Sequence, residues 1–300
     1  MIKVENLIKS FGDDKILNNL NLNVNRGSVH GLLGPNGCGK TTLIKTLMGI
    51  YKQDNGSIKI NGEEVLDNSL LKNQIMYIPD ELYFFNQYSV DDYAKFYSKI
   101  YPSFNKARYI KLKEVFDNID TSKRVVKFSK GMQKQVAIWL GMCIMPKVII
   151  LDEPIDGLDP VVRKKVYNAI FQDVSERKTT VLISSHNLRE LEGICDTVSI
   201  LHEGKIIVEN SIEDIKDSIF KIQVAWKDKV PNELLENIKI LSKSKTGSIY
   251  LLIVKEDKEE ALAKLKQTSP LILDIIPLTL EEIFIYELGG KGYEIKNILI

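Results

Sequence analysis

Cysteine is scarce in this chain: Cys38, Cys143 and Cys195 are the only three among 300 residues. An odd, scattered set builds no disulfide framework, and no CxxC pair or His/Cys cluster offers a zinc site, so a reducing compartment is expected. Excess charge of either sign is missing too. The formal net charge is +1, which leaves no strong overall field to steer the chain toward nucleic acid or anionic lipid. No nucleic-acid partner is expected. Long apolar runs are also lacking: the most apolar stretch, 136–145, ends at Pro146-Lys147 and is too short to span a bilayer. Residues 1–6 enter a strand-like alternation at once, without a signal-peptide pattern. A cytoplasmic chain follows, and any membrane role must come through a partner. With 44% hydrophobic and 27% charged residues, the chain is long enough for one large domain and a smaller one.

What is present is a phosphate-binding loop. Gly34-Pro35-Asn36-Gly37-Cys38-Gly39-Lys40-Thr41-Thr42 fits G-x-x-x-x-G-K-[ST] without a mismatch. A buried strand over 29–33 and a helix over 41–48 flank it in the order such a loop needs. The glycines let successive N–H groups face inward around an anion, and the helix N-terminus adds its positive dipole end. Lys40 then reaches the β- and γ-phosphates, and the Thr41 hydroxyl is placed to ligate Mg²⁺.

A second motif is Val148-Ile149-Ile150-Leu151-Asp152-Glu153-Pro154, an apolar strand ending in two carboxylates. Open α/β sheets place their ligands at such strand ends. Asp152 is the candidate Mg²⁺ holder through water, and Glu153 the candidate base that polarises a water in line with the γ-phosphate. Read alone, the pair also suits a solvated strand end.

The remaining pattern sets the organisation. Apolar and polar residues alternate over 2–4, 16–17, 20–24 and 58–60, which predicts antiparallel strands. The pattern turns helical from 91 to 145, with aromatics crowded at 83–104; they suit a helical subdomain core and, for some, an exposed docking face. The runs 148–151 and 180–184, with a helix over 161–175 between them, imply a parallel α/β core. Residues 198–208 read as a closing hairpin. Beyond 215 the order strand, helix, strand, strand, helix, strand suggests a small ferredoxin-like α+β domain with a last helix over 280–288. The expected division is 1–214, with a helical subdomain at about 85–145, and an accessory domain at 215–300.

Phe128-Ser129-Lys130-Gly131-Met132-Gln133 opens an apolar helix shortly before the acidic strand. Here the chain resembles the ATP-binding-cassette (ABC) ATPases, whose signature at this place is Leu-Ser-Gly-Gly-Gln. The resemblance covers roughly 1–214 and implies a P-loop core with antiparallel β and helical subdomains. It also implies that Ser129 and the Gly131 backbone hold the γ-phosphate of an ATP seated in a second copy. An N-capped helix explains Ser129 equally well on physical grounds. Lys130 replaces the first Gly of the signature and Met132 the Gln; Lys130 adds positive charge near phosphate.

Other elements of the resemblance follow in order. Asp156-Gly157-Leu158-Asp159 resembles the D-loop, with Asp159 its key carboxylate. His186 sits where the family has its switch histidine, and a neutral imidazole there hydrogen-bonds the γ-phosphate or the attacking water. Phe11 matches the adenine-stacking aromatic. Asp80, in Tyr77-Ile78-Pro79-Asp80, replaces the usual Gln and is a shorter acceptor without an amide donor.

The function implied is an ATPase subunit of an ABC membrane transporter. Two chains, as a homodimer or a heterodimer with a related ATPase, would sandwich ATP and Mg²⁺ and drive a transmembrane permease subunit from the inner face of the membrane. The Ser-Lys-Gly-Met variant is similar to stand-alone exporter subunits for drugs, antimicrobial peptides and polysaccharides. The alternative is a soluble ABC-type ATPase of translation or DNA repair, but the chain has one cassette and no sustained heptad between Lys40 and Ser129. A guanine-reading motif is absent, since Asn105-Lys106 is followed by Ala107-Arg108.

Overall fold

A computed structural model describes residues 1–154, 158–227 and 237–289, without the side chains of 217, 218 and 287–289. The chain divides into two units, 1–209 and 210–300. In chain order the first unit begins β1 (Ile2–Phe11), β2 (Asp14–Val24), β3 (Val29–Leu33), α1 (Lys40–Leu47), β4 (Asn55–Ile60), β5 (Glu63–Glu64), α2 (Ser69–Lys72) and β6 (Ile75–Ile78). It continues with α3 (Val90–Ile100), α4 (Lys106–Leu112), α5 (Lys130–Cys143), β7 (Val148–Asp152), α6 (Pro160–Arg177), β8 (Thr180–Ser185), α7 (Leu188–Leu191), β9 (Thr197–His202) and β10 (Lys205–Ser211).

The alternating N-terminal residues form an antiparallel sheet in the order β2-β1-β4-β5. The stretches 16–17 and 20–24 are one strand, not two: the chain bends at Asn19, at φ +53, and keeps pairing with β1. Asparagine tolerates that left-handed conformation better than most residues. Alternate side chains of this sheet, Ile2, Val4, Leu20, Leu22 and Val24 among them, bury against Leu43, Ile44 and Leu47 of α1. The apolar runs β7 and β8 are buried at every position, as strands covered on both faces must be.

These runs sit in a six-stranded sheet of order β10-β9-β3-β8-β7-β6, and β9-β3-β8-β7-β6 run parallel. Glu203 and Gly204, both at positive φ, make the tight turn from β9 to β10. The helical stretch expected from 91 onward is interrupted. Ser89 caps α3 in a reciprocal capping box with Asp92, Asn105 caps α4, and Ser129 caps α5. Trp139 and Phe116 are fully buried and stack on one another in this helical part.

The second unit holds α8 (Ile212–Ser218), β11 (Phe220–Ala225), β12 (Ile240–Thr246), β13 (Ile249–Val254), α9 (Lys258–Lys266), β14 (Ile272–Ile276) and α10 (Leu280–Gly289). Its strands form an antiparallel sheet ordered β12-β13-β11-β14. That is the ferredoxin-like arrangement expected from the element order. Phe220, Ile222, Val224, Leu252 and Val254 bury against Ala261 and Leu265 of α9. The helix expected near 232–237 falls almost wholly outside the described residues.

Candidate active site

The strand order assembles the site. β3, β8 and β7 are adjacent and parallel, so the segments leaving their C-terminal ends meet: the phosphate loop after Leu33, His186 after Ser185, and Glu153 after Asp152. β6 lies beside β7 and delivers Asp80 from its own C-terminal end.

The loop of 34–39 is a tight cradle. A Cβ on Gly34 would stand 2.5 Å from both Cys38 Sγ and the Leu201 carbonyl, so nothing larger than glycine fits there. Gly39 precedes α1 at φ +110, where its Cβ would crowd Leu17 and Ile16. Lys40, the first residue of α1, is buried; its Nζ donates to the Gly34 carbonyl at 2.6 Å and the Pro35 carbonyl at 3.2 Å. The same ammonium lies 3.4 Å from Glu153 Oε1. The other carboxylate oxygen, Oε2, is 3.0 Å from His186 Nδ1 and accepts from the His186 backbone N–H at 3.4 Å. Glu153 therefore stands between a cation and an imidazole.

Asp152 is fully buried. Ser184 lies opposite it in the β7–β8 register, and its hydroxyl donates to Asp152 Oδ1 at 2.6 Å and accepts the Glu153 N–H at 3.1 Å. Burial raises the Asp152 carboxyl above its usual range; the Ser184 hydrogen bond and the neighbouring Thr41 hydroxyl oppose the rise, and the nearby charges of Glu153 and Asp80 add to it. Asp152 Oδ2 is buried with no hydrogen-bond partner among the described residues. A buried anionic oxygen without a donor, beside a threonine hydroxyl, fits a hard divalent cation held through oxygen.

Phe11 is 45% exposed, with Tyr51 edge-on at 5.1 Å and the Lys9 ammonium 5.1 Å from its ring. Asp54 fastens this end of β1 by accepting from Lys9 Nζ at 3.0 Å and from the Ser10 N–H at 2.6 Å. Ser129 and Asp159 serve their own helices. Ser129, exposed, accepts from the Met132 N–H at 3.3 Å, and Asp159 accepts from the N–H groups of Val161 and Val162, each at 3.0 Å. Gly131 lies in the first turn of α5. Asp156 and Gly157 of the D-loop-like stretch lie outside the described residues.

Ser184 and Lys134 belong to the site and are not singled out by any motif. Ser184 is found only through its register opposite Asp152. Lys134 is a buried lysine on α5, and burial of that residue type is the signal, visible once the helix is placed. Asp80 pairs with it at 3.5 Å.

The ABC transporter family model matches residues 17–156. The ABC transporter ATP-binding protein YtrB of Bacillus subtilis (strain 168) is 31% identical over 97% of this chain and 99% of its own length. The lantibiotic transport ATP-binding protein SrtF of Streptococcus pyogenes is 36% identical over 75% of this chain and 98% of its own. A solved structure of the ATP-binding subunit of an ABC transporter superposes with a TM-score of 0.66 at 27% identity, over 72% of this chain and 92% of that one. Motif order, sheet topology and nearly full-length similarity agree: this chain belongs to the ABC transporter ATP-binding proteins.

Proposed function

We propose that two copies of this chain, or one copy and a related ATPase, enclose ATP between them and use its hydrolysis to drive a transmembrane permease subunit. The observation that carries the reading is Glu153 held between Lys40 and His186 at the mouth of the phosphate loop. Lys40 leaves the Gly34 and Pro35 carbonyls for the β- and γ-phosphates, while the loop N–H groups and the α1 N-terminus bind the remaining oxygens. Asp152 and Thr41 would hold Mg²⁺, which supplies neutralisation of the phosphate charge. Glu153 takes a proton from the attacking water, and His186, at the carboxylate's far oxygen, orients the base and contacts the γ-phosphate. Phe11 offers a π-face to adenine.

Ser129 and Lys130 are exposed at the start of a 14-residue helix. A hydroxyl and N–H groups at such a helix start are open to an anion carried by a second molecule. In the closed dimer Ser129 and Gly131 therefore complete the partner's site, with Asp159 nearby in the D-loop. Closure and reopening form a ligand-biased two-state cycle.

The surface that suits a membrane partner is aromatic. Tyr83 is 87% exposed and Phe85 53%, and Tyr83 lines a cavity of about 290 Å³ together with Tyr77, Pro79, Phe84, Tyr97 and Tyr101 among others. None of the described helices is long and apolar enough to cross a membrane. The chain on this reading works at the cytoplasmic face, bound to its permease. A tagged Glu153→Gln chain, drawn from detergent-solubilised native membranes with ATP and Mg²⁺, is expected to bring a multi-span membrane protein in stoichiometric amount. Recovery of ribosomes or DNA instead would replace the transport reading with a soluble one.

A further inference from the structure

We infer that Lys134 is the positioning residue for Glu153, and that Asp80 acts through it. The inference rests on Glu153 being the general base.

Glu153 sits at φ +46, in the left-handed region that a glutamate rarely adopts. Such a conformation persists only where its surroundings over-determine it. Both ends of the residue are pinned. Its N–H donates to Ser184 Oγ at 3.1 Å, from β8, and its carbonyl accepts from Lys134 Nζ at 2.6 Å, from α5. The second is a charge-assisted bond from a lysine only 5% exposed. Because Lys134 takes the main-chain carbonyl, it fixes where the carboxylate points. The chain direction at Glu153 then sends Oε1 toward Lys40 and Oε2 toward His186.

Asp80 Oδ1 lies 3.5 Å from the same ammonium. Its side chain is 54% exposed and leaves the end of β6 into a cavity of about 480 Å³ shared with Tyr83, Lys130 and Lys134. A lysine at this spot gives the Asp80 carboxylate a cationic partner. An aspartate carries the charge opposite to that of the buried ammonium, and an amide does not. The chain of contact is then Asp80, Lys134, the Glu153 carbonyl, and the Glu153 carboxylate. A shift of the exposed loop that carries Asp80 reaches the base through one side chain, without passing through the phosphate loop.

The test is steady-state ATPase kinetics on the full chain, with Glu153→Gln measured in parallel. Lys134→Met, which keeps the stem and removes the donor, is expected to lower kcat about tenfold or more while the KM for ATP moves less than about twofold. Lys134→Gln, whose amide can still donate to the Glu153 carbonyl, is expected to recover part of that loss, an outcome that a merely structural lysine does not produce. Asp80→Asn is expected to lower kcat in the native background and to change nothing further in the Lys134→Gln background. Should Lys134→Met not fold, the Asp80→Asn and Lys134→Gln cycle decides alone. Additive losses there, or wild-type kcat in both lysine variants, overturn the inference. If Glu153→Gln itself turns over at the native rate, the base assignment has failed instead, and the two failures are told apart.

Discussion

Lys40 and Glu153 face each other across the mouth of the phosphate loop, Nζ to Oε1, at 3.4 Å. The two side chains are 6% and 12% exposed, so their charges act on one another with little screening. Lys40 arrives on the helix after β3 and Glu153 at the end of β7, with β8 between them in the sheet. The pair is the electrostatic centre of the site.

Replacing Glu153 by Gln keeps the shape and removes the basic oxygen. Turnover is expected to fall by roughly 10²–10⁴-fold while ATP is still bound. Phosphate release and binding of a fluorescent ATP analogue check the two halves. On size-exclusion with ATP the variant is expected to elute as a dimer; a monomer at saturating ATP counts against the sandwich.

Ser184 holds both Asp152 Oδ1 and the Glu153 N–H. Ser184→Ala removes both bonds at once and frees the Asp152 carboxylate to turn. A loss of about ten- to a hundredfold in activity is expected, with the Mg²⁺ concentration for half-maximal rate moved upward. A titration of rate against Mg²⁺ at saturating ATP reads it.

Cys38 is buried against Gly34 in the loop itself. Burial raises its thiol pKa, and the nearby Lys40 only partly opposes the rise. Alkylation is therefore expected to be slow at pH 7 and to quicken about tenfold per pH unit as thiolate forms. The adduct blocks nucleotide binding, and ATP present beforehand protects. Mass spectrometry of the adduct set beside nucleotide binding tests both points; full binding by fully modified protein would contradict them.

His30 is buried in β3 between Thr197 at 2.7 Å and Ser199 at 2.8 Å, and burial lowers its pKa from 6.5 to about 4. Between those two values the unfolded chain binds the proton and the folded chain does not, so stability rises with pH through that window. Acidification from pH 6.5 to pH 5 is expected to cost roughly 1.5 kcal/mol. Thermal melts at the two values should show a larger drop for the native chain than for His30→Gln.

Much of the chemistry is legible from residues adjacent in the chain. The phosphate loop, the acidic strand end and the helix-opening Ser129 are local motifs whose function depends on a turn, a strand end or a cap, and neighbours in the chain suffice to form those. The second unit is legible as well, because alternation and helical periodicity set its element order and that order admits few sheets. Asn19 hides the continuity of β2, since a single left-handed residue breaks the alternation while leaving the strand paired.

From its sequence alone the chain determined which residues are the candidates for phosphate and acid–base chemistry, through side-chain type and local spacing. Only the tertiary structure decided which of them touch. Strand order in the parallel sheet brings Lys40, Glu153, Ser184 and His186 together at the C-terminal ends of β3, β8 and β7. The packing of α5 puts Lys134 under the Glu153 carbonyl and beside Asp80. Those contacts join residues far apart in the chain, and they form because burying the apolar residues of β7, β8 and α5 is favourable. No local pattern encodes them.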